Sequence, residues 1–291
     1  MVFLQQIING VALGSVYALI ALGYTMVYGI VQLINFAHGD IYMVGAYVAF
    51  FAAGVLKTPF IITIIISMIA CAILGLIIEK LAYKPVRKAP KVTSLITAIG
   101  VSLLLENLMR IYAGPTPRAF PSMIDVKIYH FERLQVNNIQ IIMLAVSIIL
   151  MILLQFIVLK TKVGKAMRAV SQDKDAAKLM GINIDRTISY TFAIGSSLAA
   201  VAGVLVGLAY QRIDPYMGIM PGLKAFIAAV LGGIGLIPGA VAGGFLMGIA
   251  ETLTKGFIST QLSDAIAFAI LIVILIFKPS GLLGSKMSEK V

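Results

Sequence analysis

Charge is what this sequence has least of. Asp, Glu, Lys and Arg make up 12% of its 291 residues, about half the share of a soluble domain. With 60% apolar residues and a mean hydropathy of +1.02, too little polar side chain remains to cover a surface facing water. A soluble globule is excluded, and the chain reads as a polytopic membrane protein. Acids are scarcer than bases, 12 against 23, which leaves a net charge of +11. The bases cluster in loops, so the nucleic-acid reading of a basic chain fails and a cytoplasmic excess of Lys and Arg accounts for the value. The single cysteine, Cys71, excludes an intrachain disulfide and, inside an apolar run, reads as a small buried hydrophobe. The lack of Trp excludes nothing. The two histidines, His38 and His130, lie far apart with no Cys or carboxylate set at ligand spacing, so neither a metal site nor a Ser-His-Asp arrangement is expected. No phosphate-binding Walker A loop is present. The nearest match, Gly164-Lys165-Ala166, lacks the hydroxyl residue and the upstream glycine. The chain is therefore expected to carry no cofactor, and any ATP drive must come from partner subunits. The N-terminus has no basic region or small-residue cleavage site and reads as a first membrane segment, not a removed leader.

What the sequence does have is long apolar runs, at about 5–30, 41–56, 60–82, 92–113, 139–159, 187–209, 222–254 and 262–277. A spanning helix needs about 20 residues. The expected fold is thus an all-α transmembrane bundle of about eight spanning segments, in one domain covering 1–291. The run at 41–56 is short unless it begins near Asn35. The run at 222–254 is too long for one helix and is interrupted at Gly232-Gly233-Ile234-Gly235-Leu236-Ile237-Pro238-Gly239, which predicts two shorter helices meeting at a kink or re-entrant turn. Irregular backbone at membrane depth must be covered by protein or line a cavity, so this break is expected to face the bundle interior. Three loops are basic: Lys84, Arg87, Lys88 and Lys91; Lys160, Lys162, Lys165 and Arg168; and Lys278, Lys286 and Lys290. They are expected to be cytoplasmic. The stretch 114–138 balances Arg118, Lys127 and Arg133 against Asp125 and Glu132, holds Pro115, Pro117 and Pro121, and is expected outside. Counting crossings puts the N-terminus outside and the C-terminus inside, with 222–254 starting and ending on the outer side.

Two interruptions look alike, one in each half: Asn35-Phe36-Ala37-His38-Gly39-Asp40, and Leu231 to Ala240. Paired breaks of this kind flank the substrate path in transporter folds. Asn35, Gly39, Gly232, Gly233, Gly235, Pro238 and Gly239 are the candidate path residues. His38 and Asp40 read as a polar turn at the cytoplasmic end of the first helix, with a proton-relay pair as the other reading. Glu79 and Lys80 close a helix on the cytoplasmic side. Glu106 with Arg110, and Glu251 with Lys255, are spaced i,i+4 near outer helix ends and read as local, snorkelling pairs. The helix middles then hold no carboxylate, which argues against an ion-coupled carrier. Glycines recur four apart at Gly10 and Gly14, Gly203 and Gly207, Gly235, Gly239 and Gly243, and Gly244 and Gly248. That spacing lets helix backbones approach closely in lipid, within the chain or against a second permease.

The polar interruption 160–186 holds Asp175-Ala176-Ala177, followed after three residues by Gly181. A short helix over Lys174–Met180 is expected, with Asp173 as its N-cap and Gly181 ending it in the left-handed conformation. So short a helix cannot bury Ala176, Ala177, Leu179 and Met180 alone, which suits a rod pressed into a groove on a second protein. A loop lying on lipid headgroups is the alternative. The D-A-A-x-x-x-G pattern resembles the coupling loop of ATP-binding-cassette importer permeases, with Asp where many have Glu. LINFAHGDIYMVGAYVA at 33–49, INIDRTISYTFAIGSSLAAVAGVLVG at 182–207 and LKAFIAAVLGGIGLIPGAVAGG at 223–244 resemble the permeases of high-affinity branched-chain amino acid importers, specifically their H-type subunit. The resemblance implies a subunit of the bacterial cytoplasmic membrane that forms half a translocation path beside a second related permease. It implies ATP-binding cassette subunits docked at Asp173, Asp175, Ala176, Ala177, Leu179, Met180 and Gly181, an external substrate-binding protein, and membrane lipid around the bundle. No enzyme activity of its own and no nucleic acid partner are expected. A sugar or amide substrate is the near alternative; an ion-coupled carrier or a membrane scaffold is the distant one.

Overall fold

The computed structural model describes residues 2–87, 89–131 and 134–284. Lys88, Glu132, Arg133, Lys286 and Lys290, used above to orient the loops, lie outside the described residues. The fold is a helical bundle. In chain order it runs α1 (Val2–Val31), α2 (His38–Gly54), α3 (Phe60–Ile78), a π-helical turn (Glu79–Tyr83), α4 (Lys84–Val86), α5 (Lys91–Ala113), β1 (Arg118–Ala119), β2 (Ile128–Phe131), β3 (Leu134–Asn137), α6 (Asn138–Lys160), α7 (Lys162–Gln172), α8 (Lys174–Leu179), α9 (Ile184–Tyr210), β4 (Arg212–Ile213), α10 (Ile219–Gly232), α11 (Ile237–Phe257) and α12 (Leu262–Phe277). Among the described residues, six helices are long and apolar enough to cross a membrane: α1, α3 continued through α4, α5, α6, α9 and α11. α2, α10 and α12, of 17, 14 and 16 residues, are shorter.

The bundle is built around α1 and α9, whose spanning windows are both 72% buried. Their sequences explain it. Gly10 and Gly14 of α1 face Gly248 and Gly244 of α11, and Gly203 of α9 faces the backbone of Tyr42 and Ala46 in α2. Without Cβ atoms these pairs bring backbones into contact, the way helices associate in lipid. α1 and α11 are antiparallel: Gly10 meets Thr252 at one end and Gly29 meets Gly235 at the other. α5 and α6 are mostly uncovered, with Ile96, Leu103, Ile149 and Ile152 exposed. They stay on the perimeter, where lipid solvates such aliphatic side chains as well as protein does.

One end of the bundle carries the strands. There β2 pairs antiparallel with β3, β1 with β4, and Gln5 of α1 exchanges two hydrogen bonds with the Gln135 backbone. Asn137 and Gln140 form a reciprocal capping box that starts α6. The opposite end carries α7, α8 and the π-turn. The few strands do not alter the all-α class, because each ribbon only ties loops at one end.

Candidate functional site

The short helix in the polar loop folds as its sequence predicts. Asp173 Oδ1 accepts from the backbone N–H of Asp175 at 2.9 Å and of Ala176 at 3.0 Å, which satisfies donors that a helix start leaves free. α8 ends at Leu179, and Gly181 takes φ of +79°, a conformation open to glycine at little cost. The side chains then divide. Ala177 is buried against its own chain, while Leu179 is 89% and Met180 82% exposed, with Asp175, Ala176 and Gly181 also exposed. Ala177 is therefore a foundation of the rod, not part of its outer face. Beneath it lies α7, not anticipated from sequence. Thr161 caps α7 by accepting from Gly164 N–H at 3.1 Å. Gly164, Met167 and Val170 form its buried face, and Lys162 and Lys165 remain outside. Arg168 donates to the Val158 carbonyl and ties α7 to α6.

The two predicted breaks do not occupy equivalent places. Gly233–Leu236 joins α10 to α11 at the α8 end of the bundle, beside Gly29 near the end of α1 and beside Ser280 and Gly284 after α12. The hairpin form is as expected; the position at membrane depth is not. Two glycine-rich helices can approach closely enough to reverse at the bundle end, so no irregular backbone need be hidden inside. Gly232 and Gly239 press backbone to backbone between α10 and α11, Gly233 has φ of +109°, and Gly235, at +96°, touches little besides Gly29. Pro238 sits in the first turn of α11, where a missing N–H costs nothing. Gly235 lines a cavity of about 740 Å³ between Thr25 and Gly29 of α1, Phe226 of α10, Leu271 of α12 and Arg168 of α7. Of the seven candidate path residues, Gly235 is the one that borders this space.

Irregular backbone at depth lies elsewhere. After α1 the chain turns back at 32–37, and α2 begins at His38, whose ring packs on Gly23 of α1 beside Gly195, near the middle of α9. His38 and Asp40 are thus deep in the bundle and buried, not at the end of the first helix. α2 then runs toward the strand end, where Gly54 nears Pro121. The 211–218 segment dips inward from the strand end, and α10 starts at Ile219 and runs the opposite way. The starts of α2 and α10 meet: a Cβ on Gly39 would stand 2.5 Å from the Gly218 carbonyl oxygen. Neither start has a side-chain cap. Two half-length helices with N-termini meeting inside a bundle is the broken-helix geometry of transporters. Gly39 stands at this junction. Asn35, just before it, is buried and its Oδ1 accepts from the Tyr83 hydroxyl at 2.8 Å.

Of the two charged pairs expected to be local, one forms within a larger cluster and the other does not form among the described residues. Glu251 is buried and accepts from Lys224 at 2.8 Å, Lys255 at 2.5 Å and the Tyr17 hydroxyl at 2.7 Å. Lys224 also pairs with Asp264 at 2.7 Å, so one cluster ties α1, α10, α11 and α12. The i,i+4 pair with Lys255 is real but is its more exposed edge. Glu106 makes no ion pair with Arg110 among the described residues; Arg110 instead donates to Asn107 and lies over the Tyr216 ring. Asp40, Glu106 and Glu251 are all buried. None is mid-helix, but Asp40, in the first turn of α2, lies deep in the bundle, so helix positions alone overstate the case against an ion-coupled carrier. Lys224, the missed residue, left a signal: a single Lys inside an apolar run needs a buried acid. Glu79 is buried as well, held by Arg87 at 2.5 Å and Ser189 at 2.9 Å.

The match to known proteins spans nearly everything described so far. Residues 6–275 fit the family described as branched-chain amino acid transport system / permease component. The chain belongs to that family. Like other such permeases it is a multi-pass membrane protein. It is 44% identical to LivH of Escherichia coli K12, a high-affinity branched-chain amino acid transport system permease protein, over 99% of this chain and 98% of that one. It is 40% identical to BraD of Pseudomonas aeruginosa, a protein of the same description, over the same shares. A xylose transport system permease protein of Escherichia coli, XylH, is 34% identical over 98 residues, 32% of this chain and 25% of that protein. The matched range contains both the α8 loop and the starts of α2 and α10.

Proposed function

We propose that this permease is one half of the translocation path of an ATP-binding-cassette importer for leucine, isoleucine, valine and related amino acids. The near end-to-end match to branched-chain permeases, against a local match to a xylose permease, favours amino acids over sugars. A second related permease supplies the other half, an external binding protein delivers the substrate, and ATP-binding cassette subunits supply the drive. The chain itself binds no ATP and breaks no bond. It forms a single domain in the bacterial cytoplasmic membrane. The α8 end, with Lys84, Arg87, Lys162, Lys165 and Arg168, is cytoplasmic; the N-terminus and strand end are outside.

The observation that carries this reading is α8: a capped, supported rod that leaves Leu179 and Met180 exposed, with nothing among the described residues covering them. A helix of one to two turns exposing two large apolar side chains fits a groove on a partner. Asp173 sets its start, Ala177 anchors it, and Gly181 releases the chain into α9. Ala176→Trp on the exposed side is expected to abolish ATP-dependent leucine uptake by the complex in vesicles, with the protein still inserted. Uptake and ATPase stimulation at wild-type levels would remove the docking claim. Uptake by this chain alone on an ion gradient would favour the carrier reading that Asp40 and Glu106 reopen; Glu251 already has two lysines against it.

A further inference from the structure

Between α8 and the junction of α2 runs a series of polar contacts joined by short stretches of backbone. α8 passes into α9 through Gly181, Ile182 and Asn183, with Ile182 N–H donating to the Ala177 carbonyl at 3.0 Å. Asp185, in the first turn of α9, pairs with Lys84 at 2.8 Å and Arg87 at 2.7 Å. Arg87 also pairs with the buried Glu79, which accepts a second bond from Ser189 of α9. Lys174 of α8 stands near the same guanidinium: burial first, and then the Arg87 charge, hold its pKa below the usual lysine value. Glu79 opens the π-helical turn, closed where Lys84 N–H donates to the Glu79 carbonyl. Tyr83, last in that turn and buried, donates to Asn35 at 2.8 Å. The Asn35 carbonyl accepts the N–H of His38, the first residue of α2, at 3.0 Å.

We infer that Glu79, Arg87, Ser189 and Tyr83 are positioning residues that carry movement of α8 to the α2 junction, with the π-turn as the part that switches. A π-turn holds one residue more than an α-turn and is common at functional sites. Closing it to α geometry shifts every later residue by one place, a rotation of about 100° about the axis. That rotation takes the Tyr83 hydroxyl off Asn35. The freed Asn35 then has no partner on Oδ1; its amide nitrogen already has none. Leaving a buried amide unpaired disfavours the closed junction, and the starts of α2 and α10 separate. The Glu79–Arg87–Asp185 cluster sets which form of the turn is stable, since it holds the first residue of the turn against α9.

This inference rests on α8 being the docking site of an ATP-binding subunit, and the test separates the two. The full complex, with its binding protein, is reconstituted in vesicles and leucine uptake per ATP hydrolysed is measured. Tyr83→Phe is expected to lower that ratio about fivefold, the scale of one buried hydrogen bond. Ser189→Ala, a milder change that leaves Arg87 on Glu79, is expected to lower it about twofold. Because both act through one turn, the double variant should be no worse than Tyr83→Phe alone. A merely structural role would reduce uptake and hydrolysis together. An unchanged ratio, or effects that multiply, overturns the linkage. Leu179→Asp reports on docking by itself. If it leaves the ATP-binding subunit bound and uptake normal, the docking reading falls; if it sheds the subunit while Tyr83→Phe keeps the ratio, only the linkage falls.

Discussion

The two interruptions that look alike in sequence, Asn35–Gly39 and Gly232–Gly239, are held in opposite ways. The first is deep in the bundle. Asn35 Oδ1 is held by the Tyr83 hydroxyl from the π-turn, and Gly39 meets Gly218 across the start of α10. The second is a turn at the bundle end, shaped by positive-φ glycines, with one edge packed under Ser280 and Gly284 and the other open to a cavity. The partner of Asn35–Gly39 is thus Gly218, which carries no comparable motif. Similar composition here reflects two different needs: close approach of helix starts in one place, left-handed backbone in the other.

Substitutions can break that comparison. The largest effect on stability is expected from Lys224→Met, one turn or so along α10 from the first junction. It leaves Asp264 without its lysine and Glu251 with one cation fewer, and removing one partner of a buried pair costs about 3–5 kcal/mol; urea titration of the detergent-solubilised protein would show it. Next is Gly39→Val, whose Cβ meets the Gly218 carbonyl, so the helix starts must part at a cost of about 3 kcal/mol, with uptake lost. Gly233→Ala combines a backbone disfavoured for alanine with contacts to Ser280 and Gly284, and about 2 kcal/mol is expected. Gly235→Ala has the strain without the crowding and should cost about 1 kcal/mol. The ratio of these last two sharpens the claim. Equal effects would mean that backbone strain alone shapes the turn and the packing of the C-terminal segment contributes nothing. Gly235→Leu adds bulk to the cavity and is expected to slow uptake with ATP coupling intact; unchanged uptake would remove that cavity from the path.

Much of this was legible before any coordinates. The short helix, its Asp173 cap and its Gly181 exit follow from local rules, because capping and left-handed glycine act within a few residues. The division of 222–254 into two helices followed from length and glycine. What could not be read was partnership. Glu251 looks local because Lys255 is four residues on, but its other partners, Tyr17 and Lys224, are 234 and 27 residues away. The burial of Ala177 rather than Ala176 depends on which side of α8 faces the bundle.

By itself the sequence determined that the chain lives in a membrane, that its helices are joined by glycine contacts, and that it carries a capped polar rod between spans. These rest on hydropathy, residue size and hydrogen bonds between near neighbours. Only the tertiary structure decided that α2 and α10 begin against one another, that four helices share one buried ion cluster, and that Tyr83 reaches Asn35. Those outcomes depend on which distant segments come together, and backbone approach at a glycine is set by the partner helix as much as by the glycine.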